Sequence, residues 1–196
     1  MNGDISHASQ TIREQLAARD VPVQRILMVC LGNICRSPSA EGVLHAALAH
    51  HWLGKCIELD SCGTSDWHMG EPPDRRAIVH AAKRGHDISG LRARQLAVSD
   101  FSDFDLILVM DDANLANVTA LAPADSPALI CRLLDFLPSP LPALAEGSRE
   151  VPDPYIGGAD AFERVLDLID SACAELILLL ASQGQSHSGH APRGQM

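Results

Sequence analysis

The sequence predicts an α/β fold, a parallel sheet with helices on both faces. Four short apolar runs of strand character alternate with longer stretches of helical periodicity. That alternation joins parallel strands through right-handed crossovers. With 46% hydrophobic residues in a chain of 196, there is enough apolar material for one domain with a real core.

Taken in chain order, residues 1–22 mix both charge signs without an apolar stretch and are expected to form a polar, disordered extension. Residues 23–182 are expected to form the domain. Its strands are predicted at 23–30, 57–61, 104–110 and 128–133, and its helices at 38–51, 73–84, 114–121 and 159–182. In the last helix Phe162, Val165, Leu166, Ile169, Cys173, Leu176, Ile177 and Leu180 share one face. Trp52 is expected on an apolar helix face, in the core. Residues 183–196, rich in Ser, Gly, Gln and His, read as a disordered tail rather than a metal site. There are no internal repeats.

Composition narrows the function. The net charge of −10 disfavours binding nucleic acid through the whole surface, so any bound anion must be held locally against the global field. The longest apolar run, at 176–181, is far too short to span a membrane. The first twenty residues lack the apolar core of a secretory signal, so the expected compartment is the cytoplasm, where thiols stay reduced. The six cysteines contain no CxxC pair, so a zinc site is not expected.

The first strand, with the loop and helix start after it, reads "ILMVCLGNICRSPSAEG". Open α/β sheets bind ligands beyond the carboxyl ends of their strands, and Cys30 ends this one. The loop Cys30, Leu31, Gly32, Asn33, Ile34, Cys35, Arg36, Ser37 leads into a helix, so its backbone N–H groups and the helix dipole suit a phosphate group. Gly32 permits close backbone approach, Asn33 tolerates a left-handed conformation, and Arg36 can clamp two oxygens at once. In such a field a cysteine pKa falls from about 8.5 to roughly 3.5–7.5, which makes Cys30 a nucleophile. Ser37 can donate to its sulfur, and a phosphocysteine intermediate is plausible chemistry. The Cys–Arg spacing alone is a weak signal; the strand before it and the Ser-Pro helix start after it give it weight.

A thiolate displacing an alcohol from phosphorus needs an acid on a separate segment. "EVPDPYIGG" at 150–158 offers Asp153, although loop aspartates between prolines are more often turn residues. Tyr155, the one tyrosine of the chain, is two residues away, and Trp67 lies in the polar loop "SDWHMGEPP". Two rings at the carboxyl edge of the sheet could sandwich a flat substrate, an aryl phosphate such as phosphotyrosine.

Five segments, "VCLGNICRSP", "DSCGTSDWHMGEPPD", "RARQL", "DLILVMDDANL" and "DPYIGG", together resemble the low-molecular-weight protein tyrosine phosphatases. The resemblance runs from about Arg25 to Ala181. It implies a three-layer fold with a four-stranded parallel sheet of order 2-1-3-4. It also implies Cys30 as nucleophile, Arg36 as phosphoryl ligand and Asp153 as acid, then base. Leu31, Gly32, Asn33, Ile34, Cys35 and Ser37 would line the phosphate site, with Ser61 supporting Asn33, and Trp67 and Tyr155 would wall the aryl group. No metal or cofactor is implied. The implied partner is a phosphotyrosine-containing protein, a tyrosine kinase being one candidate; nucleic acid and membrane are not expected, and the chain is expected to be a monomer or weak dimer. The family's second loop cysteine, here Cys35, can form a reversible disulfide with the nucleophile.

Three positions depart from the pattern. Leu91 replaces a histidine that in many members joins the Asn–Ser network behind the loop, so that network does not carry over whole. Cys62 replaces a small non-thiol residue. Ile156 stands where some members have a second tyrosine. Two other enzymes remain alternatives on the same fold. A protein-arginine phosphatase would carry Thr where Ile34 stands. An arsenate reductase would need further cysteines as a relay, and Cys56, Cys62, Cys131 and Cys173 are expected to be buried. A non-catalytic phosphate-binding module is disfavoured by the presence of Cys30, Arg36 and Asp153 together.

Overall fold

The computed structural model describes residues 2–137 and 148–187. In chain order the elements are α1 (Asn2–Ala17), β1 (Arg25–Cys30), α2 (Arg36–Ala49), β2 (Glu58–Gly63), α3 (Arg75–Lys83), the single turn α4 (Asp100–Asp103), β3 (Leu106–Val109), α5 (Asp112–Leu121), β4 (Leu129–Arg132) and α6 (Ala159–His187). The four strands form one sheet in the order β2-β1-β3-β4, and every pairing is parallel. The predicted fold class and strand order are those observed.

The side-chain period of two sends alternate residues of each strand to opposite faces. On one face Ile26, Met28 and Cys30 of β1 join Leu106 and Leu108 of β3, covered by Leu44 and Leu48 of α2 and by Leu166, Ile169 and Leu176 of α6. On the other, Leu27 and Val29 join Ile107 and Val109, covered by Phe101 of α4 and Val118 of α5. Both faces of the central strands are therefore dry, which explains why they read as continuous apolar runs. A smaller cluster of Cys35, Ala77, Ala81, Ile88 and Phe162 seats α3 against α6. The apolar stripe predicted for α6 is the one that packs: all its positions are buried except Ile177, which is partly so.

Cys30 closes β1 at the carboxyl edge, opposite Gly63 of β2. The chain leaving β2 is tied to the loop after β1, Thr64 N–H donating to Cys30 O at 2.9 Å and Ser65 N–H to Leu31 O at 2.9 Å. A Cβ on Gly63 would stand 2.7 Å from Leu31 O, so only glycine allows this approach.

Several expectations need correction. The N-terminal segment is not disordered but forms α1. Leu16 is fully buried and Ile12 packs beside it, one turn apart on the same helix face. Arg13 donates to Phe136 O and pairs with Glu175 of α6 at 3.6 Å; past the helix, Arg19 pairs with Asp105 at 3.0 Å. At the other end α6 continues beyond residue 182 to His187, and 188–196 lie outside the described residues. Trp52 is 50% exposed in a short 3₁₀ turn rather than in the core, and Cys56 is exposed rather than buried.

If α1 is part of the core, Leu16→Ala should lower stability by about 2–5 kcal/mol, the cost of a large-to-small change at a fully buried site. Urea unfolding measures it, and a loss below about 0.5 kcal/mol, the size of a surface change, would show α1 to be undocked.

Candidate active site

The loop from Cys30 to Arg36 turns on Asn33, whose φ of +54° makes it the one non-glycine residue with positive φ among those described. Its side chain fixes that conformation. The backbone N–H of Arg94 donates to Asn33 Oδ1 at 3.0 Å, which assigns the opposite amide atom as nitrogen. Asn33 Nδ2 then donates to Ser37 Oγ and Ser61 Oγ, both at 2.9 Å. Asn33, Ser37 and Ser61 are all buried, so each of these hydrogen bonds is shielded from water.

Cys30 Sγ lies above this network. Asn33 N–H donates to it at 3.3 Å, and Ser37 Oγ is 3.0 Å away. Because Ser37 already accepts from Asn33, its own proton is available to the sulfur or to Cys62 O at 3.3 Å. Leu91 takes no part in the network; it packs beside Ile34 against the cluster around α3. Behind Ser61 stands Glu41 of α2, whose carboxyl is pushed up by burial, an effect that a hydrogen bond with Ser61 partly offsets.

Arg36 opens α2 and is almost fully buried. Its Nη1 donates to Asp111 Oδ2 at 2.5 Å and to Val151 O at 3.2 Å, and its Nη2 to Asp153 Oδ2 at 3.1 Å. Burial works against its charge, but the Cys30 sulfur, Asp111 and Asp153 outweigh burial and raise its pKa above the ordinary value. Asp153 reaches the site on a segment pinned to the end of β3, Val151 N–H donating to Met110 O at 2.7 Å. Tyr155 N–H donates to Asp153 Oδ1 at 3.0 Å, the local turn that an aspartate favours. Arg76 lies over the Tyr155 ring at 5.5 Å from its centroid and is held in place by Asp74 at 2.9 Å.

Together these groups line a cavity of about 210 Å³ bounded by Cys30, Leu31, Gly32, Ile34, Cys35, Arg36, Trp67, His68, Asp153 and Tyr155. Asn33, Ser37 and Ser61 sit beneath it, in its support. Trp67 and Tyr155 are 70% and 51% exposed, two open rings at the rim. Burial, then Asp74, Cys30 and Asp153, push the Cys35 thiol up. Among the described residues no three His, Cys, Asp or Glu side chains are grouped to hold a metal ion. Two residues near the site escaped the sequence reading. Asp111 belongs to the Asp-Asp pair that ends the third apolar run, and His68 stands beside Trp67 in a loop already singled out; neither type is informative until the fold shows what faces it.

Among known families, the model described as low molecular weight phosphotyrosine protein phosphatase matches residues 25–186. A low molecular weight protein-tyrosine-phosphatase of Streptomyces coelicolor is 41% identical over 159 residues, covering 81% of this chain and 94% of that protein. The crystal structure of a protein tyrosine phosphatase from Entamoeba histolytica, with Hepes in the active site, superposes with a TM-score of 0.74 at 35% identity, covering 82% of this chain and 99% of that one. A Drosophila arginine phosphatase superposes with a TM-score of 0.71 at 27% identity, covering 78% and 95%.

The network makes a stability test possible. Asn33→Ala strands the Arg94 N–H and leaves a Cβ-bearing residue in a left-handed conformation with nothing to hold it. The expected loss is about 3 kcal/mol, from unsatisfied buried groups of about 1–3 kcal/mol each. Denaturant unfolding reads it, and an unchanged midpoint would mean that the loop does not depend on this amide.

Proposed function

The chain belongs to the low-molecular-weight phosphotyrosine protein phosphatase family, and we propose that it hydrolyses phosphotyrosine in proteins, and small aryl phosphates, through a phosphocysteine on Cys30. The observation that carries this reading is the convergence on one cavity of Cys30, whose Sγ accepts from Asn33 N–H, with Arg36, Asp153 and two open aromatic rings, Trp67 and Tyr155. Cys30 as thiolate attacks phosphorus, and the S–P bond forms as the P–O bond to the phenol breaks. Arg36 and the loop N–H groups of Leu31, Gly32, Ile34 and Cys35 take the phosphoryl oxygens. Asp153 gives its proton to the departing phenolate oxygen, then takes one from the water that attacks the phosphocysteine. Ser37 donates to the sulfur when it leaves. Asp111 keeps the guanidinium aimed from Nη1 while the phosphoryl group replaces Asp153 at Nη2. Trp67 and Tyr155 flank the aryl ring, and Cys35, next to the nucleophile, can protect it as a reversible disulfide.

The substrate class follows from the rim: two flat rings favour an aryl ester, and Ile34 puts an apolar side chain where the related arginine phosphatases carry threonine. The similarity to a Drosophila arginine phosphatase keeps phosphoarginine as the second reading. Arsenate reduction is not favoured. Cys62 is fully buried in β2, and Cys56, though exposed, precedes the amino end of that strand, so six residues of strand, about 20 Å at 3.3 Å each, separate it from the cavity edge. The partner is a phosphotyrosine protein, with a tyrosine kinase as a candidate, and the compartment is the cytoplasm; among the described residues no helix is long and apolar enough to cross a membrane. The domain acts as a monomer or weak dimer.

Two measurements test this. Asp153→Asn should slow turnover of p-nitrophenyl phosphate and phosphotyrosine about 10²–10⁴-fold, the range for losing a general acid, while inorganic phosphate still inhibits; an unchanged rate would remove Asp153 from the reaction. Wild-type protein given phosphotyrosine and phosphoarginine peptides should turn over the first with the higher kcat/KM, and the reverse order would hand the function to the second reading.

A further inference from the structure

His68 lines the cavity beside Cys30 and Arg36 but has no part in the mechanism above. Its Nδ1 lies 2.7 Å from Glu71 Oε2. A carboxylate can only accept, so Nδ1 carries the hydrogen, and in the neutral form of the ring the lone pair is on Nε2. Nε2 has no partner among the described residues. The ring lies over the phosphate loop: a Cβ on Gly32 would stand 3.0 Å from His68 Cδ2 and 3.7 Å from Nε2. Position 32 being glycine is what leaves the imidazole room there.

The ring is also held before any substrate arrives. Glu71 N–H donates to His68 O at 2.9 Å, closing the same turn that the side-chain bond closes. Gly70 N–H donates to Ala93 O at 2.7 Å and Ala93 N–H to Glu71 O at 2.9 Å, pinning the loop to its neighbour. Gly70, with φ of +80°, supplies the bend. An acceptor on a residue that lines the substrate pocket, held by one tautomer and a pinned loop, is preorganised for a donor.

In that form the partner of Nε2 is a donor, which neither the phosphoryl oxygens nor the aryl ring supplies. In a phosphotyrosine polypeptide the donor present whatever the flanking sequence is the main-chain N–H. We propose that His68 is a specificity-determining residue, its Nε2 accepting a hydrogen bond from a main-chain N–H of the polypeptide that carries the phosphotyrosine. His68 thereby distinguishes a phosphorylated polypeptide from a free aryl phosphate. Glu71 is its positioning residue, acting through the tautomer. The inference rests on the phosphotyrosine reading above and names how that site recognises its substrate.

The test compares kcat/KM for a phosphotyrosine peptide and for p-nitrophenyl phosphate in the wild type, His68→Ala, His68→Gln and Glu71→Gln. His68→Ala should lower the peptide value about fivefold more than the aryl phosphate value, the scale of one neutral hydrogen bond. The loss should appear in KM rather than kcat, as for binding shared by ground and transition states. His68→Gln, which retains an acceptor, should recover most of it, and Glu71→Gln should fall between. Methylating the recognised peptide nitrogen should cost the wild type the same factor and His68→Ala nothing further, closing a double-mutant cycle. Equal losses on both substrates would overturn the proposal and assign His68 to the phosphate or the aryl ring. A loss confined to kcat, or additive effects in the cycle, would overturn it as well. Wild-type protein that hydrolyses neither substrate would instead overturn the phosphatase reading, and this inference with it.

Discussion

The carboxyl edge of the sheet depends on how one amide side chain is satisfied. Asn33 holds a backbone conformation that costs an L-residue about 1–2 kcal/mol, and all three hydrogen bonds of its side chain go to fixed partners, Arg94 N, Ser37 Oγ and Ser61 Oγ. That geometry turns Asn33 N–H onto Cys30 Sγ and orients Ser37 so that its proton can reach the same sulfur. The backbone that would cradle an anion is thus shaped from behind by groups an anion never touches. The absence of a histidine at Leu91 does not unbuild this support. The Arg94 backbone meets Asn33 directly, and the Arg94 side chain is itself anchored to Asp60 of β2 at 2.8 Å and Asp100 of α4 at 2.9 Å.

How much could be read from the sequence depends on the range of the physics. Strand and helix periods are local, so the four strands, the longer helices between them and the buried stripe of α6 were all visible in the apolar spacing, with boundaries shifted by at most two residues except at the end of α6, which runs five residues further. The loop was legible because its chemistry is contiguous: nucleophile, glycine, asparagine, arginine and helix start fall within eight positions. Asp153 lies 117 residues from Arg36 and was approachable only through the chemical demand for an acid and the rings nearby.

The misses have a common cause. In α1 the described apolar anchors are few, Ile12 and Leu16 foremost, and a helix with so narrow a stripe looks polar and unfolded until its partners are known. Those partners, Phe136 O and Glu175, are more than a hundred residues away. Trp52 read as core by residue type, yet a large apolar side chain at the surface is ordinary. His68 and Asp111 are unremarkable residue types in polar loops, and only the fold shows one lying over Gly32 and the other gripping Arg36.

The charge balance of the site then explains how an acidic protein can take a dianion. The cavity offers one guanidinium, and that group is already matched by two carboxylates, Asp111 and Asp153. Arg36 therefore cannot by itself make the pocket positive; taken alone, the three groups carry a net negative charge. The attraction must come from the loop N–H groups and the amino end of α2, whose partial charges are fixed in place. It must also come from the release of Asp153 from Arg36. The proposed first step requires Asp153 to hold a proton, and in that form it no longer competes with the phosphoryl oxygens for Nη2. The protonation state that serves as general acid is thus the same one that clears the phosphate site, so binding and acid catalysis draw on one proton rather than on two separate arrangements.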